Sequence, residues 1–329
     1  MIPNQWYAVL ESKEVQKGKL IGVTRLGEKL VFWRNKNGEI ICLRDKCAHR
    51  GAALSAGKIC GEGETVQCPF HGLEYDRTGK CKIIPANGRI TPVSERFKVD
   101  SYPIREAHDF IWLWWGKKRD EYPPLPFFED IDEKFSFKTY KEVWPVHYSR
   151  AIENQLDGVH LPFVHHNTIG RGNRTIIHGP YVEMSEDKNE MKFFVDMQKD
   201  DGKTRSLKPE AFPMDKIGNF YIHFKFPNLW QNHLTDKVRI FISFVPIDEE
   251  STLFYMRFYQ KIVRIPLFRT LVNWLGIASS KVILHQDRKV VITQDPKKTW
   301  LKMGEKLFQG DLPIVKYRQR RQELIEAEE

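Results

Sequence analysis

Between Trp6 and about Gly116, apolar residues fall in short runs at 20–24, 29–34, 40–44, 65–67 and 110–115, rich in β-branched and aromatic types and divided by turn formers such as 35–38 and 77–79. This pattern predicts strands of a small all-β domain with no long amphipathic helix. The Pro-rich stretch Tyr122-Pro123-Pro124-Leu125-Pro126 follows. Each proline biases its predecessor towards extended backbone, so a boundary is expected near residue 120, between domains 1–120 and 121–329. Beyond it the periodicity is mixed. Residues 146–160 have helical spacing, 177–198 and 220–260 alternate like antiparallel strands, and 265–295 return to a helical period before a mixed-charge helical tail. Strands followed by helices predict an α+β second domain.

Composition narrows the class. A chain of 329 residues with 41% hydrophobic and 29% charged residues is an ordinary globular protein rather than a disordered or fibrous one. The net charge of +9 is spread over Lys and Arg regularly broken by Asp and Glu, with no basic arm, so nucleic acid is not an expected partner. No signal peptide is read at the N-terminus. The most apolar stretches, 110–116 and 271–280, fall short of the roughly 18 residues of a spanning helix, so a soluble, cytoplasmic chain with no membrane partner is expected. Five cysteines cannot all pair, and in such a compartment cysteines more often serve metals or catalysis.

Two segments supply metal-ligand chemistry. Cys47-Ala48-His49-Arg50-Gly51 and Cys68-Pro69-Phe70-His71-Gly72 each offer one thiolate and one imidazole, and the 18 residues between His49 and Cys68 let two loops converge. Such ligands suit a structural Cys2His2 zinc site or a Rieske 2Fe–2S centre, in which two Cys hold one iron and two His the other. Cys42, Cys60 and Cys81 lie outside the pattern and are read as ordinary thiols. Further along, Asn154, Asp157 and His160 stand at i, i+3 and i+6, the spacing of one helix face. Pro162 disfavours a continued helix, so His165 can swing in beside His160. Two imidazoles with a later carboxylate make the facial triad of a non-haem Fe(II) site, with positions open for O2 and substrate.

The CxHRG and CPFHGLEYDRTGKC sequences resemble the cluster-binding signature of Rieske proteins, specifically the Rieske non-haem iron oxygenases. Asp157, His160 and His165 match that family's DxxHxxxxH pattern. The resemblance implies an all-β Rieske domain followed by a helix-grip α+β catalytic domain, with Cys47, His49, Cys68 and His71 on the cluster. It implies His160, His165 and, from its spacing to Val290 and Gln294, Asp287 on a mononuclear Fe(II). His166 is the competitor for His165. Asn154 matches a position near the iron, and Asp157 the carboxylate that bridges to the cluster of a neighbouring subunit, opposite His71, in a head-to-tail homotrimer.

By the same resemblance the chain is a terminal oxygenase that uses O2 and electrons from a separate NAD(P)H-dependent reductase, sometimes with a ferredoxin. The lack of a Gly-rich dinucleotide fingerprint is consistent with an external reductase, and the positive charge is read as a preference for an acidic donor. A chain of this length looks more like the homotrimeric monooxygenases and O-demethylases than the longer dioxygenases. A small aromatic or alicyclic substrate is expected, in a pocket lined by Phe224, Phe226, Leu229, Trp230 and Phe241. An electron-transfer protein with a non-catalytic second domain is the alternative.

Overall fold

The computed structural model describes residues 1–329 except 214, 216, 219, 328 and 329. The chain forms two compact units, one of Pro3–Leu125 and one of Pro126–Glu329 together with Met1–Ile2.

In the first unit β1 (Gln5–Glu11), β2 (Ile21–Arg25), β3 (Glu28–Arg34), β4 (Ile40–Arg44), β5 (Lys58–Cys60), β6 (Thr65–Gln67), β7 (Glu74–Asp76), β8 (Cys81–Ile83), β9 (Ile104–Ala107) and β10 (Phe110–Trp115) follow in turn. They pair antiparallel as three sheets ordered β1-β10-β9, β2-β3-β4 and β5-β6-β7-β8. Trp33, Leu43, Val66, Leu73 and Tyr75 form a common core that also takes in Cys47 and Cys68, so the loops bearing those thiols are anchored from beneath. Burying an apolar side chain of this size contributes roughly 1.5–3 kcal/mol, and the Trp33 indole N–H keeps its hydrogen bond by donating to the Gly63 carbonyl at 2.8 Å.

The second unit runs β11 (Ser136–Trp144), α1 (Tyr148–Gln155), α2 (Leu161–Val164), β12 (Ile176–Met184), β13 (Glu190–Gln198), β14 (Tyr221–Lys225), β15 (Leu229–Thr235), β16 (Val238–Pro246), β17 (Thr252–Gln260), α3 (Pro266–Val291) and α4 (Leu312–Glu326). Its strands make one antiparallel seven-stranded sheet, ordered β11-β17-β16-β15-β14-β13-β12. Asn273, Ile277, Leu284, Asp287 and Val291 form the buried stripe of α3, at helical spacing, and α3 packs on β11 and β17. This is the α+β arrangement expected of the second half, a long helix held against a large sheet.

Two expectations need correction. The helix foreseen over 146–160 ends at Gln155. Asp157 Oδ1 accepts the Val159 amide at 2.6 Å, a local bond that competes with helical pairing, and Gly158 adds little helix propensity. His160 then opens the short α2, so Asn154, Asp157 and His160 do not share one helix face. The second correction concerns apolar length. α3 has 26 residues and an 18-residue window of mean hydropathy 1.2, enough by length and composition to cross a membrane, with 17% of that window buried. Uninterrupted runs hid this, because Arg269, Asn273 and Ser279 divide the apolar residues without lowering the average far.

Candidate metal centres and the cavity beside them

In the first unit, two six-residue loops repeat one backbone pattern. The Cys47 amide donates to the Ala52 carbonyl and Gly51 back to the Cys47 carbonyl, at 2.8 and 2.9 Å; the Cys68 amide donates to Leu73 and Gly72 back to Cys68, at 2.8 and 3.1 Å. Gly51 (φ 76°) and Gly72 (φ 73°) close the loops in the left-handed region that glycine adopts without strain, and a Cβ on Gly72 would also meet Pro85 at 3.0 Å. Cys47 and Cys68 are buried, whereas His49 and His71 are exposed, their ring centroids 4.7 Å apart. Burial pushes the Cys68 thiol up, and the neighbouring Cys47 adds to this; both cysteines belong to the same buried cluster. Tyr75 Oη supports the site, 3.2 Å from Cys47 Sγ and accepting the Ala48 amide at 3.1 Å. Two buried thiols on paired loops and two neighbouring exposed imidazoles fit the donor set of a Rieske cluster. Cys42 and Cys81 are buried and Cys60 half-buried, all free.

In the second unit His160, His165 and Asp287 converge, one ligand atom from each lying within 4.8 Å of the others. Asp287 Oδ1 is 3.2 Å from His160 Nε2 and 3.0 Å from His165 Nε2, and the two imidazole nitrogens are 3.3 Å apart. Asp287 is 3% exposed and His165 1%. Burial alone would raise the Asp287 carboxyl and lower the His160 imidazolium. The close contacts of Asp287 with His160 and His165, and of His160 with the Asp157 carboxylate, overcome this, holding Asp287 at about 2 and pushing His160 up to about 9. A buried carboxylate facing two imidazole nitrogens from one side suits a divalent cation.

Side chains outside the triad hold it. His160 Nδ1 lies 3.4 Å from Asp157 Oδ2, and His165 Nδ1 is 2.9 Å from Gln286 Oε1, which also accepts from Thr168 Oγ1 at 2.8 Å. With Nδ1 of each ring turned to an oxygen acceptor, both Nε2 atoms are free to face the centre. Gln155 Nε2 donates to Asp287 Oδ2 at 3.2 Å. Gln155 and Gln286 were not singled out from sequence; a polar residue beside each predicted ligand segment was the only signal. His166 is exposed and bonded to the Phe163 carbonyl at 2.9 Å, so His165 is the one brought to Asp287.

The triad borders a cavity of about 340 Å³, walled by Val195, Met197, Trp230, Ile240, Met256 and Phe258 among others. Asn154 lines it, its Nδ2 buried without a partner. Of the aromatic and leucine residues expected there, only Trp230 does. Strand alternation turns Leu229 and Phe241 to the opposite face, where Phe241 packs on Phe127 and Phe128, while Phe224 and Phe226 pack in the core, both against Tyr317. Trp230, Asn232 and Leu234, at alternate positions of β15, line the cavity instead.

Donor sets of these two kinds on one chain are those of proteins that couple an iron–sulfur centre to a mononuclear iron. Residues 5–103 match the Rieske [2Fe-2S] domain, and residues 144–327 the vanillate O-demethylase oxygenase C-terminal domain. The chain therefore belongs to the Rieske non-haem iron oxygenase family, whose two domains carry a 2Fe–2S cluster and a mononuclear iron. It is 26% identical over 329 residues to the methylxanthine N1-demethylase NdmA of Pseudomonas putida, covering 98% of this chain and 89% of that one. Chlorophyllide a oxygenase of Chlamydomonas reinhardtii is 38% identical over 174 residues, 51% of this chain but only 25% of that protein. The structure of a Pseudomonas putida NdmA variant with theobromine superposes with a TM-score of 0.78 at 24% identity, covering 99% of this chain and 91% of that one, which establishes the likeness of fold.

Proposed function

We propose that this chain is the terminal oxygenase of a multicomponent system. It takes electrons from a separate NAD(P)H-dependent reductase, in some systems through a ferredoxin, and uses O2 to hydroxylate or oxidatively demethylate a small aromatic or alicyclic molecule. In this reading domain 1–120 holds the cluster through Cys47, His49, Cys68 and His71, and domain 121–329 holds Fe(II) through His160, His165 and Asp287. When bound, the cluster supplies one-electron transfer and the mononuclear iron supplies O2 activation. The observation that carries the proposal is the position of the triad, on the wall of a largely apolar cavity of about 340 Å³.

The protein's own groups have separable tasks. Asp157 fixes the loop through the Val159 amide and orients His160 through Nδ1, while its partly exposed carboxylate remains available to a neighbouring subunit. In a head-to-tail homotrimer the exposed His71 of one subunit would meet it. Exposed Lys46 and Arg50 beside the Cys47 loop favour an acidic electron donor. Apolar walls hold substrate and exclude water, and Asn154 offers a hydrogen-bond donor at the cavity edge. Similarity to methylxanthine demethylases and to the oxidoreductase NdmD, 30% identical over 157 residues, supports demethylation with a dedicated reductase.

Asp157→Asn, which keeps the acceptor for Val159, should retain both metal centres and lose most substrate-dependent O2 uptake with a supplied reductase. Normal turnover in that variant would refute the bridging role. An intact protein that transfers electrons yet oxidises nothing from a panel of methoxy-aromatics, N-methyl compounds and sterols would favour the electron-carrier alternative.

A further inference from the structure

The outward face of α3 has no counterpart in the site described above. Leu267, Phe268, Leu271, Trp274, Leu275 and Val282 are between 52% and 78% exposed, Phe268, Leu275 and Val282 opposite the buried stripe through Ile277 and Leu284 and Trp274 at its border. With Ile262 and Ile265 just before the helix, these residues expose on the order of 800 Å² of apolar surface, above the few hundred Å² usual for a monomer. Along the segment itself the charge is of one sign, while Glu142 of β11 lies against the far end of the helix, paired with His285 and Arg288. No Asp or Glu occurs between Glu250 and Asp287, while Arg264, Arg269, Lys281 and Lys289 are exposed along the same segment.

We propose that α3 docks on an anionic lipid surface, lying in the plane of the interface with its outward apolar side chains in the acyl region and its cations among the headgroups. An exposed Trp and leucines on one face, bordered by Arg and Lys, is the pattern of an interfacial helix. The charge selects this occupant over a two-fold dimer through the same face, which would bring like cations together with no acid in the segment to pair them, whereas anionic headgroups neutralise each of them. Docking gains a purpose from the inner side of the helix. Gly276, Ser279, Ser280, Ile283 and Leu284 of α3 wall the apolar cavity, so a lipophilic molecule held in the bilayer would be separated from it by one helix.

The test is flotation of the metal-loaded full chain with vesicles of phosphatidylcholine alone or with about 30% phosphatidylglycerol. The chain should float with the anionic vesicles and not with the neutral ones, with a blue shift in tryptophan emission. The pair Leu267→Ser and Leu271→Ser should lower that partition at least about ten-fold while leaving iron content and melting temperature unchanged. Arg264→Glu with Arg269→Glu should weaken it in the same direction. Absence of flotation with anionic vesicles, undiminished flotation of the serine variant, or a vesicle-free dimer that the serine pair dissociates would each overturn the proposal. None of these readouts depends on turnover, so failure of the proposed oxygenase activity would be seen separately.

Discussion

Replacing Gln286 with Leu keeps the side-chain volume and the helix propensity at that position of α3, but removes the oxygen that holds His165. Gln286 Oε1 receives His165 Nδ1 at 2.9 Å and Thr168 Oγ1 at 2.8 Å, while its Nε2 donates to Asn167 Oδ1 at 2.7 Å. Without that acceptor the ring is no longer confined to the tautomer that turns the Nε2 lone pair towards Asp287. Loss of an orienting group of this kind lowers metal affinity about 10–100-fold, equivalent to about 1.4–2.7 kcal/mol. Because His165 is 1% exposed, its unpaired Nδ1–H also costs about 1–3 kcal/mol of stability. Anaerobic competition between the protein and a chromogenic Fe(II) chelator measures the first quantity, with the visible spectrum of the cluster as internal control. Gln286→Glu, which keeps an acceptor, should recover most of the affinity. Wild-type iron affinity in Gln286→Leu would refute the orienting role.

Two further outcomes follow from buried charges in the second unit. Arg318 pairs with Glu153 at 2.6 Å, both side chains 3% exposed, so Arg318→Met strands a buried carboxylate that keeps only Arg150 at 3.6 Å. A loss of about 3 kcal/mol is expected, roughly 6–12 °C in melting temperature, largely restored when Glu153→Leu is added; melting of the single variant within about 2 °C of wild type would contradict this. His147 caps α1 by accepting the Ser149 amide at Nδ1, and burial, with Arg321 and Lys298 nearby, lowers its pKa to about 2. The unfolded chain takes up a proton below about 6.5 and the folded one does not, so stability falls as pH drops, by about 1.4 kcal/mol one unit below that value. Urea midpoints at about pH 7.5 and 5.5 should show this dependence and His147→Asn should flatten it; equal slopes in both proteins would count against it.

The cluster loops were legible because their ligands lie two and three residues apart and glycine marks each turn, so local spacing carried nearly all the information. The pair His160 and His165 was legible for the same reason. Asp287 is 122 residues beyond His165 and was reachable only through the family spacing to Val290 and Gln294. The geometry of the first ligand segment was misread because periodicity does not register a side chain that captures its own backbone, as Asp157 does at Val159. Strand alternation names two faces without saying which is inward, so the sequence points equally to Phe241 and to Ile240 and Ile242, and only the latter two line the cavity. The bare outward side of α3 is not legible in the sequence, because an apolar helix reads alike whether its second face is covered or exposed.

In the proposed reading one chain holds a 2Fe–2S cluster through Cys47, Cys68, His49 and His71, and a separate iron through His160, His165 and Asp287. Iron quantification combined with EPR of the dithionite-reduced protein, on the wild type and on Asp287→Ala, tests it most directly. About three irons per chain are expected in the wild type and about two in the variant, with the Rieske signal unchanged between them. About two irons in the wild type, or a variant that loses none, would contradict it.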